Sequence, residues 1–270
     1  MPSLLEVLEW GLVDYWSDRR YRQSHRSASP GTGDVVSGHY GSPIANMSRM
    51  SGDIGTRKPT RSYVSATRAE RARQTRKRII DAATRLFVRQ GYAATTMRGI
   101  AAAAGVSVPM VELLFGTKAQ LLHVVIDVAI AGDDEPVPVL SRPWAIAAES
   151  APDLVDFLSA VAEVLGKAQV RSAGVLLAAY EAARSDPDIE VLIADRESQR
   201  QRTAGWIVDG VTARSPLRPG LDRVGAIDMV WMLMDPVVFN RLTRHRGWSA
   251  NRYASWFADS VIRLLTACHS

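Results

Sequence analysis

One cysteine in 270 residues, Cys268, is too few for a disulfide framework, so this chain must hold its core by apolar packing. No stretch reaches the roughly 18 apolar residues that a membrane-spanning helix needs. The amino terminus has no basic residue before its apolar run, so neither signal peptide nor membrane anchor is expected, and the cytoplasm is the expected location. Motifs of catalysis are missing as well: there is no Gly-x-Ser-x-Gly, no His-Glu-x-x-His and no phosphate loop. Gly31-Thr32-Gly33 precedes neither strand nor helix, and the lone thiol has only His269 beside it, so no enzymatic activity is expected. His123 has no second His or Cys at metal-ligand spacing, and His245 sits between Arg244 and Arg246 as a solvated basic corner, so no metal and no cofactor is expected. Strand-like alternation, heptads and internal repeats are absent too, which leaves an all-α fold.

What is present is unevenly charged. The chain has 33 Lys and Arg against 28 Asp and Glu, but residues 61–118 hold 11 basic and 3 acidic side chains, whereas residues 119–270 hold 15 and 19. Arg68, Arg71, Arg73, Arg76, Lys77 and Arg78 crowd one short segment, placed as an arm that reaches a nucleic-acid backbone or minor groove. A solvated basic face is the alternative. Hydrophobic residues make up 47% of the chain, enough for one or two cores.

Ahead of the basic segment, Leu5, Leu8, Leu12 and Trp16 fall on one helix face. The Ser/Gly/Pro/Arg-rich run from Ser24 to Ser65 has no periodicity and is expected to be disordered. Met47 and Met50 also permit a later translation start. The expected organisation is an extension over residues 1–65, a basic domain over 66–118 and a larger helical domain over 119–270.

Residues 95–118, TTMRGIAAAAGVSVPMVELLFGTK, predict a helix, a tight turn and a second helix. Ala101 is small where two steeply crossing backbones approach. Gly105, four residues on, supplies the left-handed conformation that reverses the chain. Ser107 is placed to cap the second helix, Val108–Phe115, and Pro109 fits its first turn. Ile100, Val106, Val111 and Leu114 face inward and the positions between them outward. A preceding helix is predicted over Arg71–Gln90 from Ile79, Ile80, Ala83, Leu86 and Phe87, with Gly91 as its stop. Thr117 begins another helix, Lys118–Ala131.

The stretch RIIDAATRLFVRQGYAATTMRGIAAAAGVS, with FGTKAQLL after it, resembles the amino-terminal domain of the tetracycline-repressor-like (TetR) transcriptional regulators, over residues 74–122. The resemblance implies a three-helix, helix-turn-helix DNA-binding domain followed by a helical bundle that binds a small molecule and dimerises, with helix Lys118–Ala131 linking the two. Carried over by position, it implies that Thr96 and Lys118 hold phosphates, that Arg98 reaches a guanine edge or a phosphate, and that Ser107, Val108, Pro109, Met110 and Leu113 face the groove of double-stranded DNA. Glu112 departs from the pattern, which commonly has tyrosine there. Its carboxylate accepts from cytosine N4, pairs with Arg98 or repels the backbone.

Further helices are expected from Ser141-Arg142-Pro143 onward, over Pro152–Gln169, Gly174–Arg184, Ile189–Val211, Asp222–Arg244 and Ser249–Ala267. On them Phe157, Tyr180, Trp206, Trp231 and Met234 supply material for a pocket taking an apolar or aromatic effector. Met229 to Met234 are apolar on every side, as in an enclosed helix. Trp256, Phe257, Ser260, Val261 and Leu264 make a stripe on the last helix, which the resemblance places in a homodimer interface. The implied function is a dimeric repressor on a near-palindromic operator, released by its ligand. The rival reading is a helical ligand-binding or scaffold dimer whose reader has lost DNA affinity.

Overall fold

The computed structural model describes residues 61–267, with side chains from residue 68 onward. The Leu5, Leu8, Leu12 and Trp16 face, the run from Ser24 to residue 60, Cys268 and His269 lie outside the described residues. Helix α1 spans Arg61–Ala94, α2 Met97–Ala104, α3 Val108–Phe115, α4 Lys118–Ala131, α5 Pro143–Glu149, α6 Leu154–Ala183, α7 Pro187–Thr212, α8 Arg223–Leu233, α9 Pro236–Asn240 and α10 Ala250–Leu265. Among the described residues the only β pairing is an isolated bridge between Leu217 and Thr266, so the fold is all-α. No single helix among them is long and apolar enough to cross a membrane.

Helix α1 starts at Arg61, ahead of its apolar stripe. Its early turns are supported by side-chain pairs one turn apart, Glu70 with Arg73 and Gln74, then Lys77 with Asp81. Ile79, Ile80, Ala83, Leu86 and Phe87 are all buried. Gly91, at φ 77° and ψ 172°, breaks the helical path. Thr95 then clasps the turn from inside: its hydroxyl donates to the Gly91 carbonyl at 2.7 Å and accepts from the Gln90 amide at 3.3 Å.

Thr96 caps α2, its hydroxyl accepting from the Gly99 amide at 3.0 Å. At the far end Gly105 adopts φ 66°, ψ 42°, and the amides of Gly105 and Val106 turn back to the carbonyls of Ala102 and Ala101. Helices α2 and α3 are bent by 105° at this turn, with Ala101 buried. Ser107 stands at the start of α3 but does not cap it with its side chain. The Met110 amide goes instead to the Ser107 backbone carbonyl at 3.1 Å, which leaves the hydroxyl outside. Thr117 and Gln120 form a reciprocal capping box at the start of α4.

Two large apolar cores result, beside a small third one of Ala173, Phe239 and Tyr253. The first joins α1, α2, α3 and α4 to Val175, Leu176, Ala179 and Ala182 of α6 and Ile189 and Leu192 of α7. The second gathers α5, the first half of α6, the second half of α7, α8 and α10. The described residues from Glu70 onward form one compact unit.

Three expectations about the body fail, each for a local reason. Helix α6 runs unbroken through Gly174, because that glycine admits a neighbour: a Cβ there would lie 3.2 Å from both methyls of Val88. The expected Asp222–Arg244 helix stops after Leu233, where Asp235-Pro236 starts α9 and the Asp235 carboxylate accepts from the Val237 amide. Arg142, not Ser141, occupies the cap position of α5, since Val139–Ser141 is a separate 3₁₀ turn.

Gly210 of α7 marks a second close approach, since a Cβ there would overlap the fully buried Phe157 ring. Gly210→Val is expected to lower the stability of the folded chain by about 1–3 kcal/mol through overpacking. A thermal or urea unfolding curve unchanged from the parent would contradict this.

Candidate nucleic-acid interface

Burial divides α3 cleanly. Val111 and Phe115 are buried, and Val108 and Leu114 pack partly against the same core. Ser107, Pro109, Met110, Glu112 and Leu113 form the outward face, with Leu113 at 73% exposure more open than Met110 at 40%. Of the residues expected to face a groove, only Val108 turns partly inward. Glu112 is exposed, as is Arg98.

The cations sort into outward and inward sets. Arg68, Arg71, Arg73, Lys77, Arg78 and Arg98 are exposed. Arg78 Nη1 lies 4.0 Å from where a Cβ on Gly105 would stand, so this guanidinium is beside the α2–α3 turn. The segment is helical, not a loose arm, and that orients its side chains. Arg76 accordingly points into the fold, over the Phe115 ring at 4.7 Å and paired through two nitrogens with Asp134 beyond α4. Lys118 is also engaged: its ammonium donates to the Tyr92 carbonyl at 2.9 Å and lies 4.0 Å above the Tyr92 ring. Burial holds its pKa below the ordinary lysine range, partly offset by the charge of Asp186.

A helix pair at this angle, with a small residue at the crossing, a left-handed glycine and a mixed polar and apolar outer face, is the geometry of a helix-turn-helix. Residues 79–125 match the family profile of bacterial regulatory proteins, tetR family. Over these residues the chain is similar to the tetR family. No curated protein matches the chain. Solved structures share its fold. NalD, the secondary repressor of the MexAB-OprM multidrug efflux pump in Pseudomonas aeruginosa, is 20% identical at TM-score 0.53, covering 73% of this chain and 99% of NalD. The choline complex of a protein assigned as a transcriptional regulator from Saccharomonospora viridis is 19% identical at TM-score 0.53, over 73% of this chain and 99% of that one. The ketosteroid transcriptional regulator KstR2 of Mycobacterium tuberculosis is 17% identical at TM-score 0.50, over 71% and 95%.

Several contacts fasten the head and α4 to the segments behind them. Beside the Arg76–Asp134 pair and the Val88–Gly174 contact, the Tyr92 phenol interacts with Asp186 at the start of α7. Burial and that carboxylate push the phenol up to about 12. On α4, Asp127 pairs with the buried Arg196 of α7, whose other nitrogen lies 2.7 Å from His123 Nε2 and 2.8 Å from Asp195. The sequence reading missed Thr95 and Arg196, and placed Arg76 on a nucleic-acid backbone where the structure turns it inward. A polar residue's burial depends on which partner the fold brings to it, and spacing along one helix does not carry that.

In the body, Phe157, Trp206 and Met234 belong to the second core, with Trp231 packed against it. Phe157 and Trp206 are 5.6 Å apart by ring centroid, and Arg214 covers Phe157 at 4.5 Å. Tyr180 stands apart from them. Its hydroxyl donates to Glu197 at 2.7 Å and accepts from Arg200, which lies 4.4 Å over Trp231 and 3.1 Å from Asp235. The candidate pocket residues therefore form two groups, with Arg200 beside the second. Met232, expected to be enclosed, is 58% exposed.

The α10 stripe also divides. Phe257 and Val261 are fully buried with Tyr253 and Leu265 in the chain's own cores, so they are not open to a second copy. The reason is angular: residues four apart from Tyr253 follow the centre of the apolar face onto α6, while Trp256, Ser260 and Leu264 follow its flank.

Arg76 and Arg98 separate structural from surface charge. Arg76→Ala is expected to lower stability by about 1–2 kcal/mol through the lost ion pair and ring contact, and Arg98→Ala to change it by less than about 0.5 kcal/mol. Paired denaturation curves test both, and equal effects would refute the assignment.

Proposed function

We propose that the protein is a DNA-binding transcriptional repressor, acting as a homodimer on a near-palindromic operator and released by a small apolar or aromatic molecule held in the body. The observation that carries this reading is the outward face of α3, left open by the fold beside exposed Arg78 and Arg98. A single reading helix covers half a site, and two copies with α3 helices roughly 34–36 Å apart read successive turns of one groove face. Thr96, Arg98 and Lys118 hold phosphates, Lys118 after leaving the Tyr92 ring. Ser107, Val108, Pro109, Met110, Glu112 and Leu113 meet the base edges.

For the partner copy, the outer sides of α8 and α10 are the better surface, because Val224, Met232 and Leu264 are exposed there with Trp256 and Ser260 at the flank. The effector engages Tyr180 and Trp231 near Arg200, or Phe157, Trp206 and Met234 deeper in the core. Either position lies against α7, whose Arg196 is tied to α4, and a ligand that favours one position of α7 thereby biases the head.

Binding to duplex from the gene's own flanking region is expected to weaken linearly in log salt, with a slope of several units. Arg78→Ala and Arg98→Ala should each reduce that slope by about 1. Absence of any sequence-preferring complex at low salt would overturn the repressor and favour the scaffold reading, which the mainly apolar face of α3 with its Glu112 carboxylate motivates.

A further inference from the structure

The outer face of α3 has no side chain suited to a bidentate bond with guanine or adenine. It has Met110, at 40% exposure, and Leu113, at 73%, with Pro109 beside them and Glu112 at their edge. In the major groove an apolar side chain can recognise one feature, the C5 methyl of thymine, and a carboxylate is best matched by the cytosine N4 amine, because the other donor there, the adenine N6 amine, stands beside the N7 acceptor, which repels a carboxylate. We infer that α3 reads its half-site through thymine methyl groups, with Leu113 as the main contact and Met110 as the second, and that Glu112 selects a cytosine next to them. This rests on the DNA-binding reading above and specifies what that reading leaves open.

The geometry supports it. Residues three apart on a helix are separated by about 4.5 Å along its axis, close to the 3.4 Å base step, so Met110 and Leu113 meet neighbouring base pairs. Both project from the side of α3 opposite Val111 and Phe115, which lock the helix to the head core. Arg78 and Arg98 hold the duplex by its phosphates and carry none of the sequence information. The positive charge of residues 61–118 makes duplex DNA, not another apolar surface, the occupant of this face. Glu112 adds selectivity by exclusion, since a base edge offering only acceptors would repel its carboxylate.

The test begins with selection of a preferred site from a random-sequence duplex library by the full chain, followed by synthesis of that site with deoxyuridine in place of thymidine, which removes only the methyl group. Affinity is expected to fall roughly fourfold for each contacted thymine. Leu113→Ala, at a position too exposed to disturb folding, should bind the thymine site more weakly and lose most of the difference between the two duplexes. Glu112→Gln should relax the preference at the cytosine. A selected site whose affinity is indifferent to deoxyuridine, or a Leu113→Ala protein that keeps the full difference, overturns the methyl reading while leaving the repressor standing. If no site is enriched and no duplex is bound at low salt, both fall.

Discussion

Helix α4 is the constraint on which the other features depend. Leu121, Leu122, Val124, Val125, Ile126 and Ala129 are buried along its 14 residues, some against the head and others against α6 and α7. A helix covered on so many sides shares one continuous core with both neighbours, so the head is packed against the body and not suspended from it. Any shift of the body that repacks α4 must reach α2 and α3, and any grip of α3 on a surface must reach the body. The polar contacts of Arg76, Lys118 and Arg196 reinforce a joint that apolar burial has already made.

Arginine carries much of this architecture. Arg76, Arg196, Arg200 and Arg214 all turn inward, where a planar guanidinium offers several donors and a flat face for aromatic rings. Arg214 shows the structural use most fully: it caps the carbonyls of Ala148, Glu149 and Ala151 at the end of α5 while lying over Phe157. Net charge therefore overstates what a nucleic acid can meet. The surface charge comes from those residues of α1 and α2 that the helices leave outside, Arg78 and Arg98 among them.

Much of the head was legible in the sequence, and the reason is that its determinants are local. A left-handed glycine, a threonine with glutamine three residues on, and a proline in a first turn each act within four residues, so α3 and α4 begin and end where those residues place them. The body was legible only as a set of helices. Gly174 looked like the start of a separate helix because the chain alone cannot show Val88 pressing against it, and Pro236 broke a helix whose apolar run continued across it. The α10 stripe was visible, but its division between the chain's own core and the outer flank depends on where α6 lies. Among the site residues, those of α3 were read from helical phase, whereas the two groups around Phe157 and Arg200 were set by contacts between helices.

Arg171 of α6 donates from Nε to the Ala129 carbonyl at 2.9 Å and from Nη2 to the Ile130 carbonyl at 3.0 Å, the last turn of α4. Two bonds from one rigid plane fix both the height and the rotation of that end. A piston-like slide of α4 along its axis breaks both, whereas a swing about its carboxyl end keeps them. The carboxyl end of α4 is therefore tied to α6 by hydrogen bonds as well as by burial, at the end of the helix away from Lys118.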